Sequence, residues 1–72
     1  MEIKMKNNIY ELRKALKLSQ EEVAKRCKVS RQTINAIEND KYDPSLKLAF
    51  DLARVLGVKV DELFLYDRKD TE

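Results

Sequence analysis

Apolar residues return along the middle of the chain at the spacing of a helix. After Ser19 they fall at Val23, Ala24 and Cys27, and after Ser30 at Ile34 and Ile37, so each segment carries one stripe fit for burial. Each serine stands where its hydroxyl can accept a hydrogen bond from a first-turn amide that has no partner inside the helix. Glu22, three residues after Ser19, can return the bond to the Ser19 amide and complete a capping box. The Lys28-Val29 link before the second cap is too short for the second helix to continue in line, so the two helices cross steeply. Ala24 lets the backbones approach at the crossing and Val29 tucks under the corner. The pattern predicts a helix-turn-helix.

The flanks extend the same reading. Asn8 is placed to cap a helix in which Ile9, Leu12, Ala15 and Leu16 form one face, ending near Lys17. The stretch NDKYDPS carries loop residues and the single proline, and Pro44-Ser45 leads into LKLAFDLARVLG. There Leu46, Ala49, Leu52, Ala53 and Leu56 line one side and Gly57 sits where a left-handed residue ends a helix. A short fifth helix follows in VDELF, with Asp61 and Glu62 near its positive end, Leu63 and Phe64 turned inward, and Lys59 a weak cap. Five helices with short loops predict an all-α domain over residues 1–66, and DRKDTE, residues 67–72, is expected to fray. The alternation of Ile3 and Met5, together with LFLY at 63–66, leaves room for a small strand pairing at the edges.

Composition sharpens this picture in three ways. With 72 residues there is room for one domain whose core is near the lower limit of independent folding. One cysteine and no histidine exclude an internal disulfide and argue against a zinc site of the Cys/His kind, so no cofactor is expected and a reducing, cytoplasmic compartment fits best. No apolar run approaches the length that spans a bilayer. The net charge of +2 hides an asymmetry: residues 1–41 carry +4 and residues 42–72 carry −2. That is the distribution of a chain with one face toward a polyanion. Cys27, on the buried stripe, reads as a small core residue rather than a thiol sensor.

The segments LSQEE at 18–22, VSRQTI at 29–34, Glu38-Asn39, Pro44-Ser45 and Leu-Gly-Val at 56–58, at these separations, resemble the Cro/C1-type (xenobiotic-response-element type) helix-turn-helix transcriptional regulators. The resemblance covers nearly the whole chain. It implies a lambda-repressor-like fold, double-stranded DNA as partner, and a recognition helix from Ser30 to Glu38 entering the major groove. Arg31 would offer its planar fork to a guanine and Gln32 a paired donor and acceptor to an adenine, with Asn35 one turn on and Ala36 limited to a thymine methyl. Gln20, at the positive end of its helix, would hold a phosphate and brace the recognition helix. Ser19, Ser30, Thr33, Asn39, Lys41 and Tyr42 are further phosphate or positioning residues, and Arg13 with Glu38 matches an orienting ion pair of some relatives.

Two further expectations follow. Lys28 and Asp40 stand where the family often has glycine, at positions expected to have positive φ. So small a reader needs two copies on a two-fold site, which implies a homodimer, and Leu63, Phe64, Leu65 and Tyr66 are the candidate dimer surface. Repression is the expected sign of control, with no membrane partner and no small-molecule effector domain. The competing reading is a protein-interaction module such as an antitoxin, with DNA binding secondary. With no histidine, no glycine-rich loop and scattered carboxylates, an enzyme is not expected.

Overall fold

Serine hydroxyls set where the middle helices begin. In the computed structural model, which describes residues 3–68, the order is β1 (Ile3–Asn7), α1 (Ile9–Ala15), α2 (Gln20–Cys27), α3 (Arg31–Glu38), α4 (Leu46–Leu56), α5 (Val60–Leu63) and β2 (Phe64–Arg68). The Ser19, Ser30 and Ser45 hydroxyls accept from the amides of Glu22, Thr33 and Leu48 at 3.0, 3.1 and 3.2 Å. Glu22 returns the bond to the Ser19 amide at 2.9 Å, which completes the expected box. At α5 only that second half forms, from the Lys59 amide to the Glu62 carboxylate at 2.8 Å.

The first four helices end alike. Lys17, Lys28, Asp40 and Gly57 each take positive φ, between 60° and 75°. The amide of the residue after each one, Leu18, Val29, Lys41 and Val58, reaches back to a carbonyl of the last turn at 2.8 to 3.0 Å, which satisfies an acceptor that the helix leaves open. Lys28 and Asp40 thus have the expected conformation, and Lys17 adds a third left-handed side-chain-bearing residue.

Ile9, Val23, Ala24, Cys27, Ile34, Ile37, Leu48, Leu52, Ala53, Leu56 and Leu63 form one buried cluster, with Leu12, Leu18, Val29 and Phe64 packed at its margin. Three expectations need correction. Leu46 is 74% exposed, because it lies at the very start of α4 beyond the edge of the core; Leu48 takes the inward place. Leu16 is half exposed and Ala15 is also exposed, since the last turn of α1 turns Leu12 and the Glu38-paired Arg13 inward instead. Asn8 occupies the N-cap of α1 without a side-chain cap bond. Asn7 supplies it instead, its Oδ1 accepting from the Ile9 amide at 3.0 Å, while Asn8 donates to the Glu62 carbonyl at 3.1 Å.

The five helices are joined by an antiparallel two-stranded ribbon in which Ile3 faces Arg68 and Asn7 faces Phe64. Such a pair is marginal alone. It is anchored at its base by the Asn8 amide on the Leu63 carbonyl at 2.9 Å, and Leu63 is fully buried. β2 carries Asp67 and Arg68 into the ribbon; residues 69–72 of the expected tail lie outside the described residues. No helix among the described residues is long and apolar enough to cross a membrane.

Candidate nucleic-acid interface

Burial of Ile34 and Ile37 decides which side of α3 meets solvent. Arg31, Gln32 and Asn35 are exposed, and Ala36 is half-buried among them. With Ser30, Asn39 and Lys41 they line one continuous hollow. A second hollow joins Arg31 to Ser19, Gln20 and Glu21 at the start of α2, with Arg13 at its floor. The first turn of α2, where free amides and the helix dipole favour an anion, therefore adjoins the outward face of α3. Thr33 and Tyr42 lie apart from both hollows. They line a third one with Cys27, Lys28, Ser45, Lys47 and Asp51, in which the Lys47 ammonium is paired with the Asp51 carboxylate at 2.8 Å.

A buried polar cluster holds α3 at its C-terminal end. Arg13 donates from Nε and Nη2 to the two Glu38 carboxylate oxygens at 2.9 and 3.1 Å, and from Nη1 to the Leu18 carbonyl at 3.1 Å. The paired side chains retain only 10% and 7% of their exposure. Gln20 Nε2 donates to the same carboxylate at 2.7 Å, leaving one amide hydrogen and its carbonyl oxygen for other partners. The Tyr10 ring lies 5.4 Å from the guanidinium carbon of Arg13, close enough for a cation–π contribution. The expected ion pair and the bracing part of the Gln20 reading are thus both present as geometry.

Some side chains at the face are committed to one another. The Ser30 and Thr33 hydroxyls share a 2.9 Å hydrogen bond. Asn39 donates to the Asn35 carbonyl at 2.9 Å and to its side-chain oxygen, so Asn35 keeps its own amide donors for an external acceptor. Lys41 and Tyr42 are exposed.

The four residues considered for a dimer surface separate. Leu63 is fully buried within the chain's own core, because the single turn of α5 points it under α4, and it does not belong to an outer surface. Phe64 packs against the core margin, whereas Leu65 on β2 is 47% exposed. The side chain of Tyr66 lies outside the described positions. Cys27 is buried as expected, and burial pushes its thiol above the ordinary value, with the Asp51 carboxylate adding to the rise. A thiol so placed is a poor thiolate. Asn7, at the base of the ribbon, was not singled out by the sequence pattern and lies against the end of α3.

A family model described as "Helix-turn-helix" matches residues 9–63. An HTH-type transcriptional regulator of Methanocaldococcus jannaschii is 54% identical over 63 residues, which span 88% of this chain and 96% of that protein. The HTH-type transcriptional regulator YgzD of Bacillus subtilis is 36% identical over 66 residues, 92% of this chain and 100% of its own length. Among solved structures, the restriction-modification controller protein C.AhdI of Aeromonas hydrophila superposes with a TM-score of 0.72 at 31% identity, over 76% of this chain and 83% of its own.

Proposed function

This chain belongs to the Cro/C1-type helix-turn-helix family of DNA-binding transcription regulators, and on that premise we propose that it is a repressor that reads a two-fold operator as a homodimer. The observation that carries the proposal is the outward face of Arg31, Gln32 and Asn35, set beside the α2 N-terminus and backed by the Arg13–Glu38–Gln20 cluster. Arg31 and Gln32 are the base readers, Asn35 supports them, and Ala36 meets a thymine methyl. Ser19, Gln20, Ser30, Lys41 and the flanking Thr33 and Tyr42 hold phosphates; Asn39 acts through Asn35. The phosphate contacts supply affinity, and the three polar side chains of α3 supply discrimination. Leu65 on β2, exposed to solvent, is offered to a second copy.

Selection of duplexes from a randomised pool at moderate salt tests this. The wild-type chain is expected to enrich a two-fold motif with half-sites about 34 Å apart, one helical turn of DNA. A variant carrying Arg31→Ala and Gln32→Ala, with unchanged thermal unfolding, is expected to lose it. Failure of the wild type to enrich any motif, with binding that disappears as salt rises, would leave backbone attraction alone and turn the search toward a protein partner.

A further inference from the structure

The end of α3 is tied to a part of the fold that has no share in the helix-turn-helix itself. Asn7 closes β1, and its amide nitrogen donates to the Ile37 carbonyl at 2.9 Å and to the Asp40 carboxylate at 3.0 Å, with the Glu38 carbonyl at 3.5 Å. The opposite atom of the same side chain accepts the Ile9 amide at the start of α1. Its chain neighbour Asn8 is fixed to α5 through the Leu63 and Glu62 carbonyls. Asn7 is therefore a corner anchored on α1, α5 and the ribbon, with a single arm that reaches 30 residues along the chain to α3.

What that arm grips matters for the interface. Asp40 is the left-handed residue that ends α3 at φ 61°, and its amide also bonds the Ile37 carbonyl, at 3.0 Å. The next residue, Lys41, lines the α3 hollow and closes the helix end through the Ala36 carbonyl at 2.8 Å. The grip falls on the carbonyl and the carboxylate that define where the helix stops and Lys41 begins. Arg13 fixes Glu38, which lies between Ile37 and Asp40. With Ile34 and Ile37 buried in the core and Gln20 also on the Glu38 carboxylate, the Asn7 bonds add a hold on the end of α3 from a further direction.

We propose that Asn7 is a positioning residue for DNA recognition: it fixes the C-terminal end of α3 and the path of Lys41, and so sets the angle at which Arg31 and Gln32 meet the bases. The proposal rests on the DNA-reading role of α3 given above. Asn7 touches no base or phosphate in this scheme, and its effect passes through Ile37 and Asp40.

The test uses the full chain with Asn7→Ser and Asp40→Asn. Serine keeps an oxygen for the Ile9 amide and adds no charge, but is too short to reach Ile37 or Asp40. Asparagine at 40 tolerates the left-handed conformation and still offers an oxygen to Asn7. In the free protein, amide exchange at Asp40 and Lys41 is expected to accelerate about tenfold in Asn7→Ser, while Leu52 in α4 changes less than about twofold; Asp40→Asn should resemble wild type. On the duplex enriched by the wild type, Asn7→Ser is expected to bind about tenfold more weakly, the scale of one impaired base contact. Binding to a scrambled duplex should change by less than about twofold. Equal losses on both duplexes, or unchanged exchange at 40 and 41, would overturn the proposal. If the wild type enriches no duplex at all, the DNA reading fails on its own account, and the exchange comparison still decides whether Asn7 holds the helix end.

Discussion

The two ends of α3 are held by different means. Its start is fastened from within the chain's immediate neighbourhood, by the Ser30 hydroxyl on the Thr33 amide and by the shared Ser30–Thr33 hydroxyl bond. Its end has local bonds too, from the Asp40 and Lys41 amides, but it is also fastened from afar, by Arg13 of α1, Gln20 of α2 and Asn7 of β1, at separations of 18 to 33 residues. A local cap decides only that a helix begins; it says nothing of where the helix points. The distant bonds decide direction, and in a helix offered to a rigid duplex, direction is what must be reproduced each time. The contrast separates residues whose loss weakens a helix from residues whose loss misaims it.

The largest effect is expected where the distant cluster is cut. Glu38→Ala leaves the Arg13 guanidinium buried without its carboxylate, and is expected to destabilise the fold by about 3–5 kcal/mol, read from urea unfolding. Arg13→Met combined with Glu38→Leu removes both charges together and should recover most of that loss, yet without restoring aim, so selected-duplex binding stays weak. Next comes the local end: Ser30→Ala should lower stability by about 1 kcal/mol in the same assay, with discrimination between selected and scrambled DNA retained. Should Ser30→Ala cost discrimination as heavily as the Glu38 and Arg13 changes, the proposed division between the ends would fail.

Smaller effects are expected at the left-handed residues. Lys28→Gly relieves a strained φ with no lost partner, and thermal unfolding should report a gain of a few tenths to about 1 kcal/mol. Asp40→Gly should gain less, because glycine cannot accept the Asn7 bond and aspartate already tolerates this conformation. The smallest effect is at the start of α2. The Ser19 amide, and next its hydroxyl hydrogen bond, hold the exposed Glu22 carboxyl below its ordinary 4.5. Its contribution to stability is thus complete above pH 4.5 and fades as the pH falls through the lower folded-state value. Unfolding midpoints measured from pH 6 downward should decline less steeply below pH 4.5 in Glu22→Gln than in the wild type, by an amount appropriate to one exposed group.

The same contrast explains what could be read in the sequence. Ser19 with Glu22, Ser30, and Gly57 were legible because each acts on residues one to four positions away, within reach of a spacing argument. The Arg31, Gln32 and Asn35 face followed from burial of Ile34 and Ile37 on the other side. Arg13 with Glu38 came only through the family resemblance, since nothing in either residue's neighbourhood announces a partner 25 residues distant. Asn7 stayed hidden for that reason and one more: the adjacent Asn8 fits the pattern of a cap equally well, and only the ribbon turns Asn7 toward α3. Leu46 misled because periodicity marks a side of a helix, not how far along its length the core extends. The ribbon itself rests on two runs of five residues whose pairing depends on their meeting across the fold.

The ribbon also bears on the order in which the chain folds. β1 and β2 pair Ile3 with Arg68 and Asn7 with Phe64, so their register closes a loop of ~60 residues. Contacts so distant in sequence form slowly beside the nearer ones that bring α1, α2 and α3 together. The helices can thus pack, with Arg13 already on Glu38, before the ribbon that carries Asn7 has closed, and the chain holds its helices before it holds their final aim.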